Sequence, residues 1–287
     1  MGQEFLMDDR FVILTEYFRS SNENRRKEIN KSIEVNCRIP QTKRVVVFID
    51  PEVEFPPSLK HVLSEENHDK IELHYIEPGG RSTYSDLFSY ANEHLIGENC
   101  VLCNNDISFD ETLDLLKDTE GFDLDGHFVC LTRWNEKLDQ SISFFQPARI
   151  RKNSQDAWIF KPLLPTKMIE KGGFYMGRPG CDGMVAYLAT ISGLKLLNPS
   201  KIVVAKHRHH SRHRTYKHGR DRIGGPDIYM CVYPVDRVRY NHSDVLYKPN
   251  EPEKGKIFGQ EGIDKAIERE GDNQHHWDYA IKKCRSR

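Results

Sequence analysis

The chain has 287 residues, 42 basic and 43 acidic. That length can bury one large core or two modest ones, and so even a charge balance excludes a global field committing the chain to nucleic acid or an anionic membrane, leaving only a local patch for either. No apolar run approaches the roughly 20 residues of a membrane-spanning helix, and the start, MGQEFLMDDR, lacks a signal peptide's apolar core and a Ser or Thr at position six for myristoylation, so a cytoplasmic globular protein is expected.

Strand and helix signals alternate along the chain. Phe11 to Phe18, FVILTEYF, is a β-rich run. After it, Ser and Asn open a charged helix in SSNENRRKEINKSIEVN, with Ile29, Ile33 and Val35 facing a core. Arg44 to Asp50 is a buried-type strand, Lys70 to Ile76 alternates as a third, and Pro78-Gly79-Gly80 turns into a helix from about Tyr84 to Leu95. A fourth strand ends at Val101, Leu102 and Cys103, in Asn104-Asn105-Asp106. This rhythm predicts a mainly parallel sheet flanked by helices.

Farther on, Phe128 to Thr132 is a strand candidate, and Ala157 to Phe160 is a short apolar run after Ser154, Gln155 and Asp156. Phe174 to Gly177 reads as a strand, Arg178-Pro179-Gly180 as a turn, and CDGMVAYLATISG as a helix closed by Gly193. Strands follow in LKLLNPS and in Lys201 to Ala205, which runs into KHRHHSRHRTYKHGR. Lys248 to Lys256, KPNEPEKGK, is the best boundary, and Ile263 to Lys283 reads as an amphipathic tail helix. There is no internal repeat.

Seven scattered cysteines, an odd number, argue for reduced thiols. Cys100 and Cys103 have CxxC spacing, but on a strand they point to opposite faces, and no second pair completes a zinc site.

Two segments carry chemistry. Strand ends in α/β sheets are where ligands bind. An acidic residue there, beside Asn104 and Asn105, can hold a divalent metal whose remaining ligands are phosphate oxygens, although the same residues suit a polar turn. The run HRHHSRHR is either a solvated basic loop or a clamp for a diphosphate, with Arg212 and Arg214 suited to bidentate pairing. A metal-binding histidine tract or a nucleic-acid patch also fits it.

ENCVLCNNDISFD, RSTYSDLFSYAN upstream of it, and SQDAWIF and MGRPGCDGMVAYLATISGLKLLNPSKIVVAKHRHHSRHRTY downstream together resemble small glycosyltransferases of the GT-A fold, family 2-like, found in large DNA viruses, phages and bacteria. The similarity runs from about Phe11 to Tyr216. It implies a Rossmann-like GT-A domain over residues 1–216, with a nucleotide-sugar half to about 110 and an acceptor half over 111–216, and a C-terminal extension, 217–287, packing on it. It implies transfer of a hexosyl or deoxyhexosyl group from a nucleotide-diphosphate sugar such as a UDP-sugar to a glycan, with Mn2+ or Mg2+ and an Asp base inverting the anomeric centre. The location would be the cytoplasm, that of the host if the source is viral; the oligomeric state stays open.

The family's metal motif normally carries two aspartates; here only Asp106 offers a carboxylate. The resemblance assigns His207 or His209 as a further metal contact, and alternation puts both on one face. Asp182 is the favoured base and Asp156 the sugar or acceptor contact, with their roles exchangeable. Nucleotide contacts are expected from Thr15, Glu16 and Tyr17 at the end of the first strand, from Arg81 and Tyr84 before a helix whose amino end favours anions, and from Asn104, Asn105 and Arg212. Two other readings remain: a nucleotide-sugar-binding protein without catalysis, and transfer to hydroxymethylated bases of DNA, which needs a basic groove and base flipping.

Overall fold

The computed structural model describes residues 8–62, 69–145, 154–211, 213–214, 216, 220–223, 226–247, 249 and 256–285. Arg212, a sequence-predicted phosphate contact, lies outside them, as does most of the boundary segment 248–256.

The chain is a mixed α/β protein built on a seven-stranded, mainly parallel sheet. Its strands are β1 (Phe11–Tyr17), β2 (Thr42–Ile49), β3 (Ile71–Tyr75), β4 (Asn99–Cys103), β6 (His127–Leu131), β9 (Ala157–Phe160) and β10 (Lys195–Leu197), in the order β10-β6-β9-β4-β1-β2-β3. β9 alone is reversed, lying antiparallel to β4 and β6. A second sheet joins β5 (Ile107–Ser108), β11 (Lys206–His207), β7 (Trp134–Glu136) and β8 (Ile142–Phe144), and a third joins β12 (Met230–Val232), β13 (Val245–Tyr247) and β14 (Ile257–Phe258). Among the described residues the α-helices are α1 (Glu23–Arg38), α2 (Pro57–Val62), α3 (Tyr84–His94), α4 (Thr166–Glu170), α5 (Cys181–Ile191), α6 (Gly259–Glu268) and α7 (Gln274–Arg285).

The period-two alternation of the strands builds two cores, one on each face of the sheet. Val12, Leu14, Cys100 and Leu102 join one with α3 and α5; Phe11, Ile13, Val101 and Cys103 join the other with α1. Cys100 and Cys103 thus face opposite ways as their spacing requires, both buried with thiols that burial pushes well up. On α1 the inward stripe is Ile29, Ile33 and Cys37, a spacing of four residues, while Val35 is only partly covered. Asn22 caps α1 by accepting the Arg25 N–H at 3.0 Å, and Thr83 and Asp86 form a capping box on α3.

Three expected elements differ. Phe174 to Gly177 forms no strand; Tyr175 makes a single bridge to Thr83. Lys201 to Ala205 is a turn, because the Pro199 carbonyl takes the Ile202 and Val203 N–H groups at 2.9 Å each, and the strand starts only at Lys206. The tail helix is two helices, interrupted at Gly271–Asn273 where glycine weakens the helix. Among the described residues no helix is long and apolar enough to cross a membrane.

The tail is part of the core. Trp277 is wholly buried with its ring 6.2 Å from Phe174 and 6.0 Å from Tyr187, and the Tyr187 hydroxyl donates to the Ala266 carbonyl at 2.8 Å. Trp277→Ala is expected to cost about 3–5 kcal/mol, read as a lower urea midpoint for the whole chain; a variant losing only tail structure at an unchanged midpoint would contradict this packing.

Candidate active site

The reversal of β9 brings the candidate residues together. The residue before an antiparallel strand lies at the carboxyl edge of its parallel neighbours, and there the Asp156 N–H donates to the Leu131 carbonyl at 3.0 Å while its own carbonyl takes the Asn104 N–H at 3.0 Å. Thr15 lies at the same edge, its hydroxyl donating to the Cys103 carbonyl at 3.1 Å. Asn104 to Asp106 then turn the chain out of β4, the Asn104 carbonyl accepting the Ile107 N–H at 3.0 Å.

The turn delivers Asp106, 4% exposed, into a ring of cationic and imidazole groups. Its Oδ2 lies 2.7 Å from the Arg25 guanidinium, 3.1 Å from His207 Nε2 and 3.6 Å from His209 Nδ1. Pairing of β5 with β11 sets this register: His207 opposes Ile107, and the Arg208 N–H donates to the Asp106 carbonyl at 2.9 Å. Burial alone would raise the Asp106 carboxyl, but His207, His209 and Arg25 offset it and hold it well below the usual range.

The far side of each imidazole is also engaged. His209 Nε2 lies 2.9 Å from the His213 carbonyl, which can only accept, so this nitrogen carries a hydrogen and Nδ1 is the one turned to Asp106. His207 Nδ1 lies 3.2 Å from Asn135 Oδ1, leaving Nε2 for Asp106. A bare lone pair facing a carboxylate at such distances is repelled, so a positive centre belongs between them: a proton or a metal ion. The three donor atoms lie within 4.8 Å of one another. An ion with bonds of about 2.1 Å spans donors roughly 3 to 4.2 Å apart; the two carboxylate–imidazole separations, 3.1 and 3.6 Å, lie in that range, and two imidazoles with one carboxylate are a donor set that fits a divalent metal.

A second group of acids lies beside this ring. Asp156 is paired with Arg133 at 2.9 Å and accepts the Asn104 side-chain amide at 3.0 Å. Arg133 also reaches Asn135 Oδ1 at 3.3 Å, so Asn135 touches both Arg133 and His207. Asp182, in the first turn of α5, accepts the Gln155 N–H at 3.3 Å and the Cys181 S–H at 3.1 Å. Among the described residues no cation is paired to it, and burial first and then the negative charge of Asp156 push its carboxyl up to about 7.

The remaining predicted residues separate into two sets. Glu16 accepts the Ser82 N–H at 2.7 Å and pairs with Arg81 at 3.2 Å, and Arg81 also reaches the Met176 carbonyl and lies 5.4 Å from the Tyr175 ring centre. Two predicted residues are core instead. Tyr17 is 5% exposed with its ring edge-on to Phe55, and Tyr84 is fully enclosed by Phe88, Trp158 and Phe174, its hydroxyl pointing at Cys181. Neither ring has a face open to a nucleotide. Asn105 is buried in the turn.

Sequence reasoning missed Arg25, Arg133 and Asn135. Arg25 reads as one more charge on a solvated helix, and only the fold brings it to Asp106. Arg133 follows a predicted strand by one residue, where strand-end logic would have found it.

No family model matches the chain, and no curated protein matches it. Among solved structures it is similar to the mannosyltransferase PcManGT from Pyrobaculum calidifontis in complex with GDP-Man and Mn2+, with 15% identity, 69% of this chain and 56% of that chain covered, and a TM-score of 0.43. It is also similar to S. aureus TarS 1-349 in complex with UDP-GlcNAc, with 16% identity, coverages of 76% and 62%, and a TM-score of 0.44. A third is GalNAc-T7 with UDP, GalNAc and Mn2+, with 8% identity, coverages of 70% and 43%, and a TM-score of 0.45. At likenesses this partial, function has to be read from the chain's own residues.

Calorimetric titration with Mn2+ checks the ring. Asn135→Ala is expected to weaken binding about 10- to 100-fold by freeing the His207 ring. Asp106→Asn should abolish binding and, because it removes one member of a buried ion cluster, destabilise by about 3–5 kcal/mol. Unchanged affinity in both variants would remove the metal from this ring.

Proposed function

We propose that this protein is a metal-assisted, inverting glycosyltransferase that moves a sugar from a nucleotide-diphosphate sugar to a glycan hydroxyl, on a GT-A domain spanning residues 1–216. The observation that carries the reading is that one sheet edge holds both the Asp106, His207 and His209 ring and a carboxylate of opposite character, Asp182, poised near 7. Carboxylates whose environments push them apart divide into different chemical roles.

The metal, when bound, offsets charge on the diphosphate leaving group. Two imidazoles with one carboxylate suit Mn2+ better than Mg2+, which prefers oxygen ligands. Asp182 takes the proton from the acceptor hydroxyl as the bond from the acceptor oxygen to the anomeric carbon forms and the bond from that carbon to the diphosphate oxygen breaks. Asp156, engaged by Arg133 and Asn104, orients the sugar; the Glu16 and Arg81 pair borders the nucleotide, with Thr15 behind it.

The test starts with a thermal-shift screen of nucleotide sugars with Mn2+, in which a donor at about 100 times its dissociation constant adds roughly 2.7 kcal/mol. Transfer by the wild type is expected to rise with pH through about 7 as Asp182 ionises. Asp182→Asn should lose that inflection and about 10²- to 10⁴-fold in rate. Linkage supplies a second sign. A carboxyl raised on folding contributes stability below its unfolded value near 3.8 that is lost as pH rises through about 7, so Asp182→Asn should gain stability over wild type at pH 8 and not at pH 3. Saturable donor binding without turnover on any acceptor would reduce the protein to a binding protein, and transfer to hydroxymethylated duplex DNA alone would move the acceptor to nucleic acid.

A further inference from the structure

Asp182 is flanked by two glycines, and both are overlaid by a segment from beyond residue 216. Gly180 has φ +95°, and a Cβ there would fall 2.3 Å from the Ile223 carbonyl oxygen. At Gly183 a Cβ would fall 2.1 Å from the Tyr229 ring. Any side chain at either position would push this segment off the start of α5. The peptide that follows its arginine is anchored at both ends: the Ile223 N–H donates to the Pro179 carbonyl at 2.9 Å and Lys283 donates to the Arg222 carbonyl at 2.6 Å, while Ile223 and Ile228 are buried in the core.

Two side chains of this anchored segment are left at the surface beside Asp182. Tyr229 is partly exposed, and Arg222 is exposed with its guanidinium carbon 5.7 Å from the Tyr229 ring centre. Burial first, and then neighbouring negative charges that include Asp182, push the Tyr229 phenol well up, so ring and carboxylate are electrostatic neighbours. An aromatic ring with a polar tip, beside an arginine and a carboxylate that has no paired cation among the described residues, matches a ring that is apolar on its face and hydroxylated at its rim.

We propose that Tyr229 and Arg222 form the acceptor subsite beside Asp182, a platform for the ring of a saccharide whose hydroxyl is directed to that carboxylate. The assignment rests on the glycosyl-transfer reading for its chemistry and on the overlay of Gly180 and Gly183 for its place.

Saturation-transfer NMR of the full chain, with Mn2+ and UDP present and with maltose, cellobiose, lactose and methyl mannoside as probes, tests it. At least one sugar is expected to bind wild type, to lose about tenfold in affinity in Tyr229→Ala, and to recover in Tyr229→Phe. Arg222→Ala, a change at an exposed side chain, should also weaken that sugar, and Mn2+ affinity should stay at the wild-type value in all three variants. The subsite is overturned if no probe binds wild type, if Tyr229→Ala binds as wild type does, or if Mn2+ affinity falls with sugar affinity, which would mark Tyr229 as structural. Sugar binding that depends on Tyr229 in a protein that transfers from no donor would sink the transfer reading and keep the subsite. Transfer by wild type with an unchanged acceptor KM in Tyr229→Ala would do the reverse.

Discussion

A buried anion has to be answered, and at Asp106 the answer organises the site. Removing an ionised carboxylate from water costs several kcal/mol unless cations and hydrogen bonds replace the lost hydration. Here the replacements reach the turn at Asn104 from two distant stretches of chain: Arg25 from the first turn of α1, and the segment that carries His207 and His209. Arg25 is held in turn by Glu28 at 3.3 Å, and Glu28 accepts from the Ser211 N–H at 2.7 Å. Neutralising one carboxylate therefore also ties α1 to the histidine segment. Arg208 fastens the opposite side, pairing with Glu136 through two 2.8 Å contacts and donating to the Ser108 hydroxyl at 2.6 Å.

Within this frame three carboxylates at one edge have three different environments. Asp106 has cations and imidazoles on every described contact and stays ionised. Asp156 is taken up by Arg133 and an amide. Among the described residues Asp182 has only a backbone N–H and a thiol, and it stands near the negative charge of Asp156. The pairing of Asp156 with Arg133 therefore works in both directions on Asp182: the aspartate raises it, the arginine tempers the rise. Moving any one of these partners would redistribute charge among all three acids, a coupling that isolated residues cannot show.

The sheet was readable in the sequence because its strands are apolar runs bounded by turn residues, and Asp106 and Asp182 drew notice because one closes the turn after such a run and the other follows a turn into a helix. What escaped was whatever depended on direction or on contacts across the fold. β9 reads as a short apolar run whose orientation has no local signal, yet its reversal puts Asp156 at the carboxyl edge of β4 and β6. Tyr17 and Tyr84 stand beside site residues in sequence but alternate or coil inward, which neighbourhood alone does not reveal. Lys201 to Ala205 has the composition of a strand, and a proline carbonyl two residues upstream makes it a turn. Arg25 looks like surface charge until the carboxylate it meets is known.

The glycines around Asp182 join these two themes. Gly180 takes a left-handed conformation that ends the turn before α5, and by itself that would explain a glycine. Gly183 lies inside the helix, where glycine costs about 1 kcal/mol relative to alanine and conformation gives no reason for it. Its reason is external: the Tyr229 ring occupies the space a side chain would need. A helix that accepts this cost one residue after its poised carboxylate has been shaped to bring the ring close. Residues beyond 216 therefore close over the start of α5 beside Asp182 as well as completing the core.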